Sequence, residues 1–128
     1  MNAPESAAVV RLLVYSGVPD PEWSLDDAEL EALAERVARS LQGPSTEPPP
    51  PWLLGYRGFF VHVERPVGQL PTEFRVFRGT LITHDDGQES ARRDDGRVEE
   101  LLLEQAFRRG HGNVLVALGV ELPPTTAS

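Results

Sequence analysis

Three histidines, His62, His84 and His111, and several pairs of adjacent carboxylates are the side chains best suited to chemistry in this chain. A divalent ion needs about three such ligands converging. His84 stands beside Asp85 and Asp86, but neighbours on a strand point to opposite faces, so only one or two of them can meet His111. The histidines are therefore expected as solvated or singly hydrogen-bonded groups, with no metal and no cofactor. Paired carboxylates do acid–base work only across a cleft and with separated pKa values. Asp26–Asp27, Asp94–Asp95 and Glu99–Glu100 instead fall where helix first turns are expected, and negative charge belongs there anyway. Asp85-Asp86-Gly87 is a turn signal. Ser16 precedes Gly17 without a G-x-S-x-G elbow. Arg92 and Arg93 adjoin Asp94 and Asp95 and are read as an internal salt network or as merely solvated, rather than as an anion site.

What is missing narrows the chemistry further. Cysteine is absent, so disulfides, thiolate catalysis and zinc–thiolate sites are excluded. All 12 basic residues are arginine, which removes Schiff-base catalysis and a P-loop lysine. A net charge of -8 repels a phosphate backbone and an anionic membrane alike, so neither nucleic acid nor membrane is expected as a partner. No window approaches a membrane span, and the first residues, MNAPESAAVV, carry no basic n-region. With 40% hydrophobic and 25% charged residues, the chain is expected to be an acidic, cytoplasmic protein. Its 128 residues suit a single α+β domain, with 1–6 and 121–128 flexible and 42–51 a Pro-rich connector.

The elements that must position these residues follow from periodicity. Ala7 to Tyr15 is apolar on both faces and predicts a central strand. Ser24, with Asp27 three residues on, predicts an N-cap, and Trp23 a hydrophobic staple, for a helix over 25–41. Gly55–Arg65 and Glu73–His84 predict an antiparallel hairpin, with Phe59, Val61 and Val63 on one face and Tyr56, Phe60 and His62 on the other. The following segment, HDDGQESARRDD, is polar and read as loop. Asp95 is the expected cap of a helix over 96–109, and 113–120 reads as a last strand. The order β-α-β-β-α-β predicts a ferredoxin-like fold, a four-stranded antiparallel sheet with two helices on one face.

Tyr15 to Leu25, YSGVPDPEWSL, and Gly55 to Phe59, GYRGF, resemble a group of small bacterial proteins. Their N-terminal motif reads (F/Y)SGxPxPxWxL, and a GYRGF-like segment follows. This chain has Asp20 where that group has Asn, and Val18 where Arg is common. The resemblance covers about a fifth of the chain and implies no activity. Turn and capping chemistry accounts for Ser16, Gly17, Pro19, Pro21, Trp23 and Ser24, so the loop reads as a corner.

A four-stranded sheet with helices on one side leaves the other side open. Tyr15, Tyr56, Phe60, His62 and Phe77 are the candidate binding residues of that face, and Trp23 is the candidate on the rim of the loop. The expected function is binding, through a homodimer or another protein. The alternative is a small enzyme, with or without a metal, whose pocket lies between the 16–23 loop and the 84–86 segment.

Overall fold

The computed structural model describes residues 8–15, 20–47, 55–64, 70–85 and 87–117. The strands are β1 (Ala8–Tyr15), β2 (Glu22–Leu25), β3 (Gly55–Val63), β4 (Glu73–Phe77), β5 (Thr80–Asp85) and β6 (Gln88–Arg93). The helices are α1 (Asp27–Leu41), α2 (Val98–Arg108) and α3 (Gly112–Ala117). The strands form one antiparallel sheet in the order β2-β1-β3-β4-β5-β6. The ferredoxin-like expectation is therefore corrected: the sheet has six strands and three helices accompany it.

Each departure has a local cause. The EWSL segment alternates exposed and buried, and pairs Trp23 with Val10 as β2. The capping box of α1 lies two residues later than expected: Asp26 accepts from Glu29 N, and the Glu29 side chain accepts from Asp26 N. A true box needs the longer Glu at its third helical position, and Asp27 could not serve Ser24 that way. The expected strand over 73–84 folds back at Arg78 (φ 51°) and Gly79 (φ 75°), a two-residue turn with both φ positive, as type I′ requires. That turn pairs Val76 with Leu81, so Ile82 faces away from the helices instead of sharing a side with Val76. The polar segment after His84 is β6, paired with β5 throughout. The expected last strand is α3, whose helical turn buries Leu115 and leaves Val116 exposed. A short Val/Leu run fits either period, and Gly110 (φ 89°) turns the chain so that α3 returns to the core.

The core lies between one face of the sheet and the helices. Ala8, Val10, Leu12 and Val14 of β1 meet Phe59, Val61 and Val63 of β3, Phe74 and Val76 of β4, and Leu30, Leu33 and Val37 of α1. Val98, Leu102, Leu103 and Ala106 of α2 and Leu115 of α3 close the layer. At the far edge, Ser45 bridges to Arg92, and Thr46 N donates to Ala91 O, so the segment after α1 borders β6. Among the described residues no helix is long and apolar enough to cross a membrane. The calls on residues 1–6, on 48–52 within and beside the Pro-rich connector, on 16–19 of the loop and on the tail lie outside the described residues.

One irregularity decides which side chains enter this core. Leu12 pairs with Phe59 and Val14 with Tyr56, so Arg57 and Gly58 together oppose Leu13 in a β-bulge. Gly58 has φ 90°, and a Cβ there would stand 2.1 Å from Val76 O. Gly58→Ala is expected to lower unfolding stability by at least about 2 kcal/mol in urea titration, through strain and overlap together. Gly79→Ala, with positive φ but open space around it, should lose only about 1 kcal/mol. Equal losses would show that the close approach to β4 is unimportant.

Candidate functional site

The bulge changes the fate of the predicted binding residues. Without it Tyr56 would share a face with Phe60 and His62. The extra residue returns Tyr56 to the side of Phe59, where its ring meets Phe59 and Phe77 edge-on at 6.0 and 5.7 Å. Its hydroxyl donates to Glu99 of α2. Tyr56 is thus corrected from the open face to the helix side. Phe77 is buried beside it. Trp23 is also interior: its indole N–H donates to the buried Gln105 at 2.9 Å, and its ring stacks on His111 at 5.5 Å and meets Phe59 edge-on. Phe60 and His62 do face away from the helices, each half-buried. For Tyr15 the backbone pairs with Gly55, and its side chain lies outside the described residues. The six candidates therefore do not form one surface.

Among the described residues, the two parts of the alternative reading's pocket are not brought together. β1 ends at Tyr15, beside Gly55, and the row Leu12–Phe59–Val76–Leu81 places the β4–β5 turn at that same end. His84 and Asp85 close β5 at the opposite end, with β3 and β4 between β5 and β1. His84 Nε2 instead lies 3.3 Å from Glu89 Oε2 on the neighbouring strand. No three His, Asp or Glu side chains come together as a metal site among the described residues. The corner reading of the loop agrees with what is described there: Asp20 Oδ1 accepts from Val14 N at 3.1 Å, and Leu12 N donates to Pro21 O.

The side of the sheet away from the helices has two regions. Ile82 and Ala91, paired across β5 and β6, are buried there outside the main core. Toward β1 and β3, Val9, Leu13, Phe60 and His62 are only half-buried. Two rows cross this region. One runs Glu22, Arg11, Phe60, Arg75, and the next runs Ser24, Val9, His62, Glu73. Arg11 pairs with Glu22 at 2.7 Å, and the His62 ring nitrogens lie 3.2 Å from Glu73 and 3.5 Å from Glu64. Arg75 has a buried Nε without a hydrogen-bond partner.

Where α2 begins, a polar junction joins three elements. Asp94 accepts from Val98 N and Glu99 N, supplying the side-chain cap that Arg97, at φ 59°, does not. Ser40 of α1 donates to Asp94 at 2.7 Å and accepts from Gly96 N at 2.9 Å. A Cβ on Gly96 would stand 1.9 Å from Arg36 O, so α1 passes very close here. Glu99 accepts from Arg78 N and Gly79 N of the β4–β5 turn as well as from Tyr56.

Beside this junction lies a polar groove of about 460 Å³, lined by Arg36, Arg39, Asp95, Gly96, Arg97, Glu100 and Glu104. A smaller cavity of about 220 Å³ adjoins it, with Arg97 and Glu100 common to both. Of these groove residues, sequence marks Asp95 and Gly96 as a helix start, Glu100 as a first-turn acid, and Arg36 and Arg39 as the basic end of the first helix; Arg97 and Glu104 carry no such signal. The i,i+3 arginines and i,i+4 glutamates are visible as charged helix faces, but only the packing of α1 on α2 brings them together. No protein-family model, curated protein or solved structure matches this chain.

Burial, then the charge of Glu99 and the hydrogen bond to it, push the Tyr56 hydroxyl well above the ordinary tyrosine range. The folded chain therefore keeps a proton that the unfolded chain releases near pH 10, so this contribution to stability is intact below about pH 10 and falls as pH rises beyond it. Tyr56→Phe is expected to cost about 1–3 kcal/mol at neutral pH. It should also flatten the alkaline decline, as read by urea unfolding at a series of pH values. An unchanged decline would remove Tyr56 as its source.

Proposed function

We propose that this chain works by binding, as a module that docks a second copy of itself through the β1–β3 region of the sheet's second face. The reading rests on one observation: half-buried Val9, Leu13 and Phe60 form a strip around Arg11, with further charges in two adjoining rows. Arg11 and Arg75 belong to the first row and Glu73 to the second, with Glu64 beside it. A twofold axis lying in the face between the rows sets Phe60 over the second copy's His62, and Arg75 over its Glu73. A twofold contact uses the same patch on both copies, so such self-complementarity is what it requires. Burying the apolar strip supplies the driving force, at roughly 25 cal/mol per Å² removed from water. Opposite charges across it set the register more than the affinity.

Size-exclusion chromatography with light scattering tests this on the whole chain. At about 100 µM, well above the micromolar dissociation constants of modest interfaces, the mass should be twice the 14.1 kDa of one chain. Phe60→Glu should return it to a single chain with its far-ultraviolet circular dichroism unchanged. A wild-type monomer, or a dimer indifferent to Phe60→Glu, overturns the assignment.

A further inference from the structure

The groove between α1 and α2 has walls of opposite sign. Arg36 and Arg39 stand one turn apart on α1, and Glu100 and Glu104 one turn apart on α2. The charges do not neutralise one another across the gap. Arg39 pairs along its own helix with Glu35 at 3.1 Å, with both side chains mostly exposed, a contact of small energy that a ligand can replace. Arg36 spends one guanidinium nitrogen on the carbonyl of Arg97. Arg97 reaches Glu100 at 3.5 Å within the α2 end, and Asp95 is engaged by Arg93 at 2.6 Å. Among the described residues Glu104 has no ion-pair partner. The ion pair that does cross between the helices, Arg109 with Glu29, lies at the other end of the helix pair, where α1 begins and α2 stops.

We propose that this groove is a binding site for a small zwitterion carrying a carboxylate and an ammonium group, of amino-acid or dipeptide size. Its carboxylate meets Arg36 and Arg39, whose planar guanidinium groups suit bidentate pairing. Its ammonium meets Glu100 and Glu104. The volume of about 460 Å³ falls within the range of small-ligand sites. The floor is rigid where Gly96 lets α1 and α2 touch and where Asp94 and Ser40 fix the start of α2, so binding the ligand demands little reordering of the backbone. The site lies on the helix side, opposite the proposed docking face, and the two proposals stand independently.

Amide chemical-shift titration of the isotopically labelled full chain tests it, with alanyl-alanine as probe. Saturable shifts are expected at amides of 36–40 and 95–104. The N-acetylated and C-amidated forms of the same dipeptide, each lacking one charge, should bind at least about tenfold more weakly, a loss of about 1.4 kcal/mol. Arg39→Gln and Glu104→Gln change exposed or half-buried side chains and should keep the dispersed spectrum of the folded chain while weakening alanyl-alanine by a similar factor. No saturable shift up to about 10 mM, beyond the millimolar range of weak sites, overturns the proposal. So do equal affinities for the blocked probes, or shifts that map away from this groove or persist unchanged in both variants.

Discussion

Two carboxylates at the start of α2 hold the helical layer in register with the sheet. Asp94 closes two backbone N–H groups of α2 that no helical carbonyl can reach, and takes the hydroxyl of Ser40 as well. Glu99, in the first turn of α2, closes two N–H groups of the β4–β5 turn and the Tyr56 hydroxyl. Each carboxylate therefore answers donors from two elements, Asp94 from α1 and α2, and Glu99 from β3 and the β4–β5 turn. A buried donor left without its acceptor costs about 1–3 kcal/mol, so α1, α2 and the hairpin cannot shift separately. The apolar core supplies most of the driving force but little direction. These directional bonds choose one arrangement among the many that would bury the same side chains.

Gly58 contributes the other half of that choice. Its positive φ and its nearness to Val76 O admit a bulge, and the bulge turns Tyr56 inward. A one-residue offset in a strand moves every later side chain to the opposite face. The inward Tyr56 then reaches Glu99. A glycine with no side chain of its own thus decides whether an aromatic residue belongs to the interior or to the surface.

Much of this was readable from local pattern. The two long helices, β1, and the pairing of β3 with β4 follow from periodicity and stop signals; the core faces of α1, of β1 and of Phe59, Val61 and Val63 are the expected ones, while Tyr56, Leu81 and Ile82 lie on the opposite sides from those expected. The failures share a cause. The EWSL strand, the Arg78-Gly79 turn and β6 are short or polar, and each exists because a neighbouring strand offers it hydrogen-bond partners. Arg-Gly lacks the strong Asn-Gly or Asp-Gly signature, so the strand over 73–84 looked continuous. The 113–120 run was equally good as strand or helix, and the position of α2 decided it. The candidate surface suffered most, because one bulge, invisible to a strict period of two, rearranges the face on which the aromatics sit. The groove residues were legible only as helix caps and charged helix ends, because the packing of α1 on α2 is what brings them together.

The two rims of the sheet have unequal fates. Beyond β6, the chain segment from Pro44 to Thr46 already occupies backbone groups of Ala91 and Arg93. β2 is only four residues long and turns Glu22 and Ser24 outward. Unprotected margins invite chain-by-chain polymerisation, and short, charged or capped ones resist it. Among the described residues, ribbon-like growth through backbone pairing is therefore hindered along part of one border and offered only a four-residue foothold beside Glu22 at the other, which favours discrete assemblies over fibrils.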